Sequence, residues 1–143
     1  MELNITTFKF GEQPQVTLPN REFYKVLGEA GIRAMVKRHY ELLRESGIQH
    51  LFPADDAAFE QAIRNSADFM VQICGGPQYF NQNRGKPMMA ARHKPFEITM
   101  EGRNVWLNCY KQALLELEAP ENLIGSFWNY IDIFSVRMVN TPI

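Results

Sequence analysis

The sequence predicts an all-α domain preceded by a short irregular arm. Three observations carry that class. After residue 20, apolar side chains recur at steps of three and four over several long stretches. Before residue 21, Thr6, Thr7, Val16 and Thr17 favour extended chain, while Gly11, Pro14 and Pro19 interrupt any helix. No internal repeat, low-complexity tract or β-hairpin pattern is visible. The expected organisation is an arm over residues 1–20 and one domain over 21–143.

The elements follow in order. Phe23, Val26 and Leu27 make a short apolar face that ends near Gly28. Ile32, Met35, Val36, His39, Tyr40 and Leu43 then predict a helix over residues 29–46, closed by Gly47. Asp55 can cap the next helix, with Asp56 in its first turn. Its stripe is Phe59, Ile63, Ser66, Ala67, Met70 and Ile73, and Gly75-Gly76-Pro77 stops it. Residues 75–95 are rich in Gly, Pro and Asn and read as a long irregular loop, with one helical turn over 88–93. Loops of that length are uncommon in compact domains and are often functional. Thr99 caps a helix whose stripe is Val105, Trp106, Cys109, Ala113 and Leu117. Pro120 precedes a last helix over 121–139, with Leu123, Phe127, Tyr130, Ile131, Phe134 and Met138 inward.

Composition narrows the function. The chain has 143 residues, 45% of them hydrophobic, and a formal net charge of −1. That excludes disorder and gives no phosphate-binding surface, so nucleic acid is not an expected partner. No apolar run approaches the roughly 18 residues needed to span a membrane. The N-terminus, MELNITTFKF, lacks a basic region followed by an apolar stretch, so no secretory signal is expected. Two cysteines, Cys74 and Cys109, make no disulfide framework. A cytoplasmic protein is the expectation. Aromatic residues make up 12%, with seven Met besides. Either they fill a core, or they shape a pocket for a large flat apolar ligand.

Few residues offer chemistry. The histidines are His39, His50 and His93, with no His-x-x-x-His, Cys-x-x-Cys or Glu-x-x-His pattern. A four-ligand zinc site is therefore poorly supported. A single His can still bind iron when a macrocycle supplies four further ligands. His93 is the candidate, at the end of the loop beside Arg92; the plain alternative is a surface histidine. Neither Cys has a His nearby in sequence, and both lie on apolar helical faces as structural thiols. Tyr40 and Trp106 carry donors on apolar faces. They can bond backbone carbonyls or donate into a pocket, and position alone does not separate these.

A set of motifs does. Gly75-Gly76-Pro77, Tyr79-Phe80, Arg84-Gly85-x-Pro87, Arg92-His93-x-Pro95-Phe96-x-Ile98, Arg103-x-x-Trp106-Leu107-x-Cys109 and Met138-Val139-Asn140-Thr141-Pro142 resemble the truncated haemoglobins. The second group of that family, which keeps a Trp on the helix after the proximal histidine, is the closer match. The resemblance covers roughly residues 21–143.

It implies a two-over-two helical sandwich around one haem b. His93 would be the iron ligand, Tyr40 the distal tyrosine and Trp106 the distal tryptophan. Phe52 would stack on the haem, with Met89 and Phe96 also against it. Ala62 and Ser66 would face the bound ligand, and Arg92 and Arg84 would pair with the propionates. Three features depart from the family pattern. His39 stands where an aromatic usually precedes the distal tyrosine, and either faces the core as neutral imidazole or swings to solvent. Ser66 replaces a larger residue. The stretch between Tyr40 and Phe52 is one residue short.

The implied function is binding of dioxygen or related diatomic ligands with slow release. Alternatives are a nitric oxide dioxygenase or peroxidase fed by an external reductase, a haem-based sensor, and a haem-free helical interaction module. The expected assembly is a monomer or homodimer.

Overall fold

A computed structural model describes residues 1–142. Ile143, the last residue of the domain as read from the sequence, lies outside them. The helices are α1 (Arg21–Arg44), α2 (Asp56–Ile73), α3 (Tyr79–Arg84), α4 (Met89–His93), α5 (Met100–Leu115) and α6 (Glu121–Val136), with a 3-10 turn at Gln49–Leu51. No strand occurs among the described residues.

Local chemistry sets most boundaries. The Asn20 side chain accepts from the Glu22 N–H at 2.9 Å and starts α1. Gly28, at φ 70° and ψ 174°, kinks that helix where the apolar face was expected to end. Only glycine takes this conformation freely. Asp55 accepts from the Ala58 N–H at 2.9 Å to start α2, and Thr99 from the Gly102 N–H at 3.0 Å to start α5. These caps satisfy N–H groups that have no partner inside the helix.

Four expectations need correction. The first helix ends at Arg44, not 46, because the Glu45 and Ser46 N–H groups turn back onto Leu42 and Leu43 before Gly47 is reached. The last helix ends at Val136, although Met138 and Val139 stay 9% exposed beyond it. The 75–95 segment is not one loop with a single turn, since α3 forms within it. Tertiary anchors hold α3. Phe80 is buried and packs edge-on against Phe69 at 5.7 Å. The Gln72 side chain accepts from the Asn81 N–H and donates to the Asn81 side chain, both at 3.0 Å. The buried face of α5 is Gly102, Arg103, Leu107, Tyr110, Ala113 and Leu114; Val105, Trp106 and Cys109 are only half-buried.

Two helix pairs, α1–α2 and α5–α6, form the sandwich, with α1 also packed across α5 and α6. Phe23 of α1 stacks on Phe127 of α6 at 5.0 Å, and Tyr110 of α5 meets Phe127 at 5.7 Å. All three rings are fully buried. Burying each phenylalanine stabilises the fold by about 1.5–3 kcal/mol.

The arm is a strap across α5 and α6. Arg103 and Asp132, 2% and 6% exposed, form an ion pair at 2.7 Å. Thr6 covers it: its N–H and hydroxyl donate to the Asp132 carboxylate at 3.0 and 2.6 Å, and its carbonyl accepts from Arg103 at 3.0 Å. Trp128 donates its indole N–H to the Asn4 carbonyl at 2.8 Å, and Leu3 is buried. Removing one partner of a buried pair leaves an uncompensated charge, so Asp132→Ala should cost about 3–5 kcal/mol. Urea denaturation measures this; a loss below about 1 kcal/mol would mean that Arg103 reaches water.

Candidate functional site

The short helix α4 carries His93 at its last position. Five residues do not make a stable helix alone, so outside ties matter. Met88, at φ 41° in the left-handed region, turns the chain into it. The Arg92 guanidinium donates to the carbonyls of Pro87 at 2.6 Å, Arg84 at 2.9 Å and Lys86 at 3.0 Å. It also lies 5.1 Å over the Phe80 ring. Beyond His93, the Asn140 side chain donates to the Phe96 carbonyl at 2.9 Å and accepts from the Ile98 N–H at 2.9 Å. His93 is thus clamped from both sides.

The His93 ring has a set orientation. Its Nδ1 lies 2.6 Å from the Met89 carbonyl. A carbonyl only accepts, so Nδ1 carries a proton, and in the neutral ring Nε2 then presents a bare lone pair. This is the arrangement that orients a metal-binding imidazole. The ring is half-buried, as is Met89.

A second group of side chains gathers around Tyr40. Its ring meets Phe52 edge-on at 5.4 Å and Phe59 at 5.8 Å. Burial raises the Tyr40 pKa, and the neighbouring Ser66 side chain partly opposes the rise. Ala62, one turn before Ser66 on α2, is half-buried. Trp106 of α5 joins the group through His39, whose ring lies 5.1 Å away. Tyr40, Phe52, Met89 and Trp106 all pack on the core while remaining part-exposed. Such partly open apolar side chains suit a flat apolar group. The shortened stretch after Tyr40 still brings Phe52 to its ring.

Phe96 and Arg84 stand further out. Phe96 is 44% exposed and borders a groove with Ile48, Leu51 and Thr99. Arg84 is exposed and shares a polar cleft with Arg33, Arg64, Asp68 and Arg92. Arg92 serves the loop backbone in this arrangement, a duty that the motif did not suggest.

His39 faces the core. It is 1% exposed, and its Nε2 donates to the Trp106 carbonyl at 3.1 Å. It stacks on Tyr110 at 3.5 Å. Tyr110, unnoticed in the sequence, sits one helical turn from Trp106, and that spacing was the available signal. Cys74 is fully buried with its thiol pushed up to about 12, an inert group; Cys109 is half-buried.

Burial lowers the His39 pKa to about 3, with the Trp106 carbonyl opposing. The folded imidazole is neutral, while an unfolded one takes up a proton near pH 6.5. Its contribution is complete above about pH 6.5 and is lost as pH falls towards about 3. Relative to His39→Phe, wild-type stability should fall by about 1.4 kcal/mol per pH unit in that window. Denaturation curves between about pH 4 and 7 check this; parallel loss in both proteins would show that His39 does not resist protonation.

A family model described as bacterial-like globin matches residues 22–140. The group 2 truncated haemoglobin YjbI of Bacillus subtilis is 33% identical over 122 residues, covering 82% of this chain and 87% of that protein. The chain belongs to the group 2 truncated haemoglobins. The fold agrees. Phosphate-bound Hell's gate globin IV superposes with a TM-score of 0.90 at 37% identity, covering 96% of this globin and 86% of that chain. The match extends into the arm, since residues 21–143 alone would not reach that share. The truncated oxygen-avid haemoglobin of Bacillus subtilis superposes with a TM-score of 0.71 at 32% identity, over 82% of this globin and 98% of that chain. Membership carries haem-based binding of diatomic ligands. No helix among the described residues is long and apolar enough to cross a membrane.

Proposed function

We propose that this truncated haemoglobin holds haem b through Nε2 of His93 and binds dioxygen with slow release. The observation that carries the reading is the 2.6 Å bond from His93 Nδ1 to the Met89 carbonyl, which leaves Nε2 bare. The group, when bound, supplies an iron with one open position for a diatomic ligand. Phe52, Met89 and Phe96 would lie against it, and Arg84 and the unengaged end of Arg92 would pair with its carboxylates. The loop carbonyls that hold Arg92 tie α4 to the segment before it.

On the opposite side, Tyr40 and Trp106 provide donors. A ligand that builds up negative charge is stabilised by such preorganised groups. Ser66 lies close enough to the Tyr40 hydroxyl to oppose the burial that raises its pKa. Ala62 and Ser66 are small and leave room beside it. Slow release follows from two donors on one ligand, and the oxygen-avid relative from Bacillus subtilis supports it. Such retention suits oxygen-dependent redox chemistry or storage better than bulk transport.

Absorption spectra of the purified protein, ferric and ferrous, with and without carbon monoxide, test the reading. A Soret band that shifts with carbon monoxide is expected. A colourless protein that takes up no added hemin would refute it.

A further inference from the structure

We infer that His39 is a positioning residue that aims the distal donor Trp106 from the helix that carries Tyr40. The inference rests on the donor role proposed for Trp106 and adds the group that aims it. His39 precedes Tyr40 on α1, and its Nε2 donates to the main-chain carbonyl of Trp106 on α5 at 3.1 Å. A carbonyl inside a helix already faces the N–H four residues on. The imidazole is therefore a second, lateral donor that pins α5 at the residue bearing the indole. The ring also stacks on Tyr110 at 3.5 Å and 23° and meets Trp106 edge-on at 5.1 Å. Rotation of α5 would break all three contacts together.

Stability does not explain this histidine. Its Nδ1 and the Tyr110 hydroxyl are buried without hydrogen-bond partners. An unsatisfied buried acceptor costs at least as much as one buried hydrogen bond contributes. Phenylalanine would keep the stack and remove the orphan. The lowered pKa keeps the imidazole neutral and the Nε2 proton in place. What histidine supplies that phenylalanine does not is the bond to the Trp106 carbonyl.

The test is a double-mutant cycle on the haem-loaded protein. His39→Phe should speed dioxygen release roughly three- to tenfold, with little change for carbon monoxide. Melting temperature should hold or rise, an outcome that a merely structural role would not produce. In a Trp106→Phe background the same substitution should add nothing, because the effect passes through the indole. His39→Gln retains an N–H at the same reach and should restore near wild-type release; it serves alone if the Phe variant does not fold. Nitrogen-15 spectra of the ferrous carbon-monoxide form should show His39 protonated at Nε2 and bare at Nδ1. Unchanged dioxygen release in His39→Phe, equal acceleration of both ligands, effects that multiply with Trp106→Phe, fast release in His39→Gln or the opposite tautomer would each overturn the inference. If Trp106→Phe by itself leaves dioxygen release unchanged, the donor reading fails first, and the positioning role fails with it.

Discussion

His93→Ala is expected to abolish the Soret band, or to leave haem so weakly held that added imidazole restores it. His93 is the histidine whose Nε2 is bare while Nδ1 is tied to a carbonyl. The clamp around α4 does not depend on the ring: Arg92 holds the incoming loop and Asn140 holds the outgoing one through backbone atoms. Removing the imidazole should therefore leave a cavity in an intact scaffold, which is the condition for rescue by free imidazole. The other histidines make sharp controls. His39 is 1% exposed, with Nε2 committed to Trp106 and its face covered by Tyr110. His50 is exposed on the 3-10 turn. His39→Ala and His50→Ala should both remain coloured. A normal spectrum in His93→Ala, together with a colourless His39→Ala, would place the ligand on the wrong side of the molecule.

Trp106→Phe should speed dioxygen release by roughly ten- to a hundredfold, since a hydrogen bond to a charged group is worth about 1.5–3 kcal/mol. Dioxygen held in a haem pocket gains partial negative charge, while carbon monoxide gains much less. An indole N–H aimed at the ligand would therefore discriminate between them. Phe keeps an aromatic body against His39 and Tyr110, which lie 5.1 and 5.0 Å from the Trp106 ring. The Tyr40 hydroxyl, beside Ser66, can re-aim towards the ligand. The Tyr40→Phe, Trp106→Phe double variant should accordingly exceed either single one. Stopped-flow displacement with each ligand measures both rates. Equal acceleration for dioxygen and carbon monoxide would reduce Trp106 to a steric wall.

Local features were legible in the chain itself. Asp55 and Thr99 cap their helices as their chemistry requires, because a cap is a contact between residues two or three apart. Gly28 breaks α1 because a positive φ is a property of the residue and its backbone. His93 and Trp106 were nameable because they stand in short motif strings, and Tyr40 by its place on the helix before them. The all-α class followed from periodicity, which records one buried face per helix.

Contacts between distant residues were not legible in that way. No local pattern marks Arg103 as buried; it is buried because Asp132 and Ser135 of α6 and Thr6 of the arm complete its hydrogen bonds. Helix α3 lacks a propensity signal and exists through Phe80 on Phe69 and Gln72 on Asn81. That Arg92 braces three carbonyls of the loop was not legible in its motif. His39 had two possible directions, core or solvent. The choice fell to Tyr110 and the Trp106 carbonyl, which lie 71 and 67 positions away in sequence. By itself, then, the sequence determined the helical class and the caps and breaks, and it marked which residues offer chemistry, since each depends on neighbours along the chain. Only the tertiary structure decided which polar groups are satisfied in the interior, because a buried donor is matched by whatever acceptor the packing brings within about 3 Å.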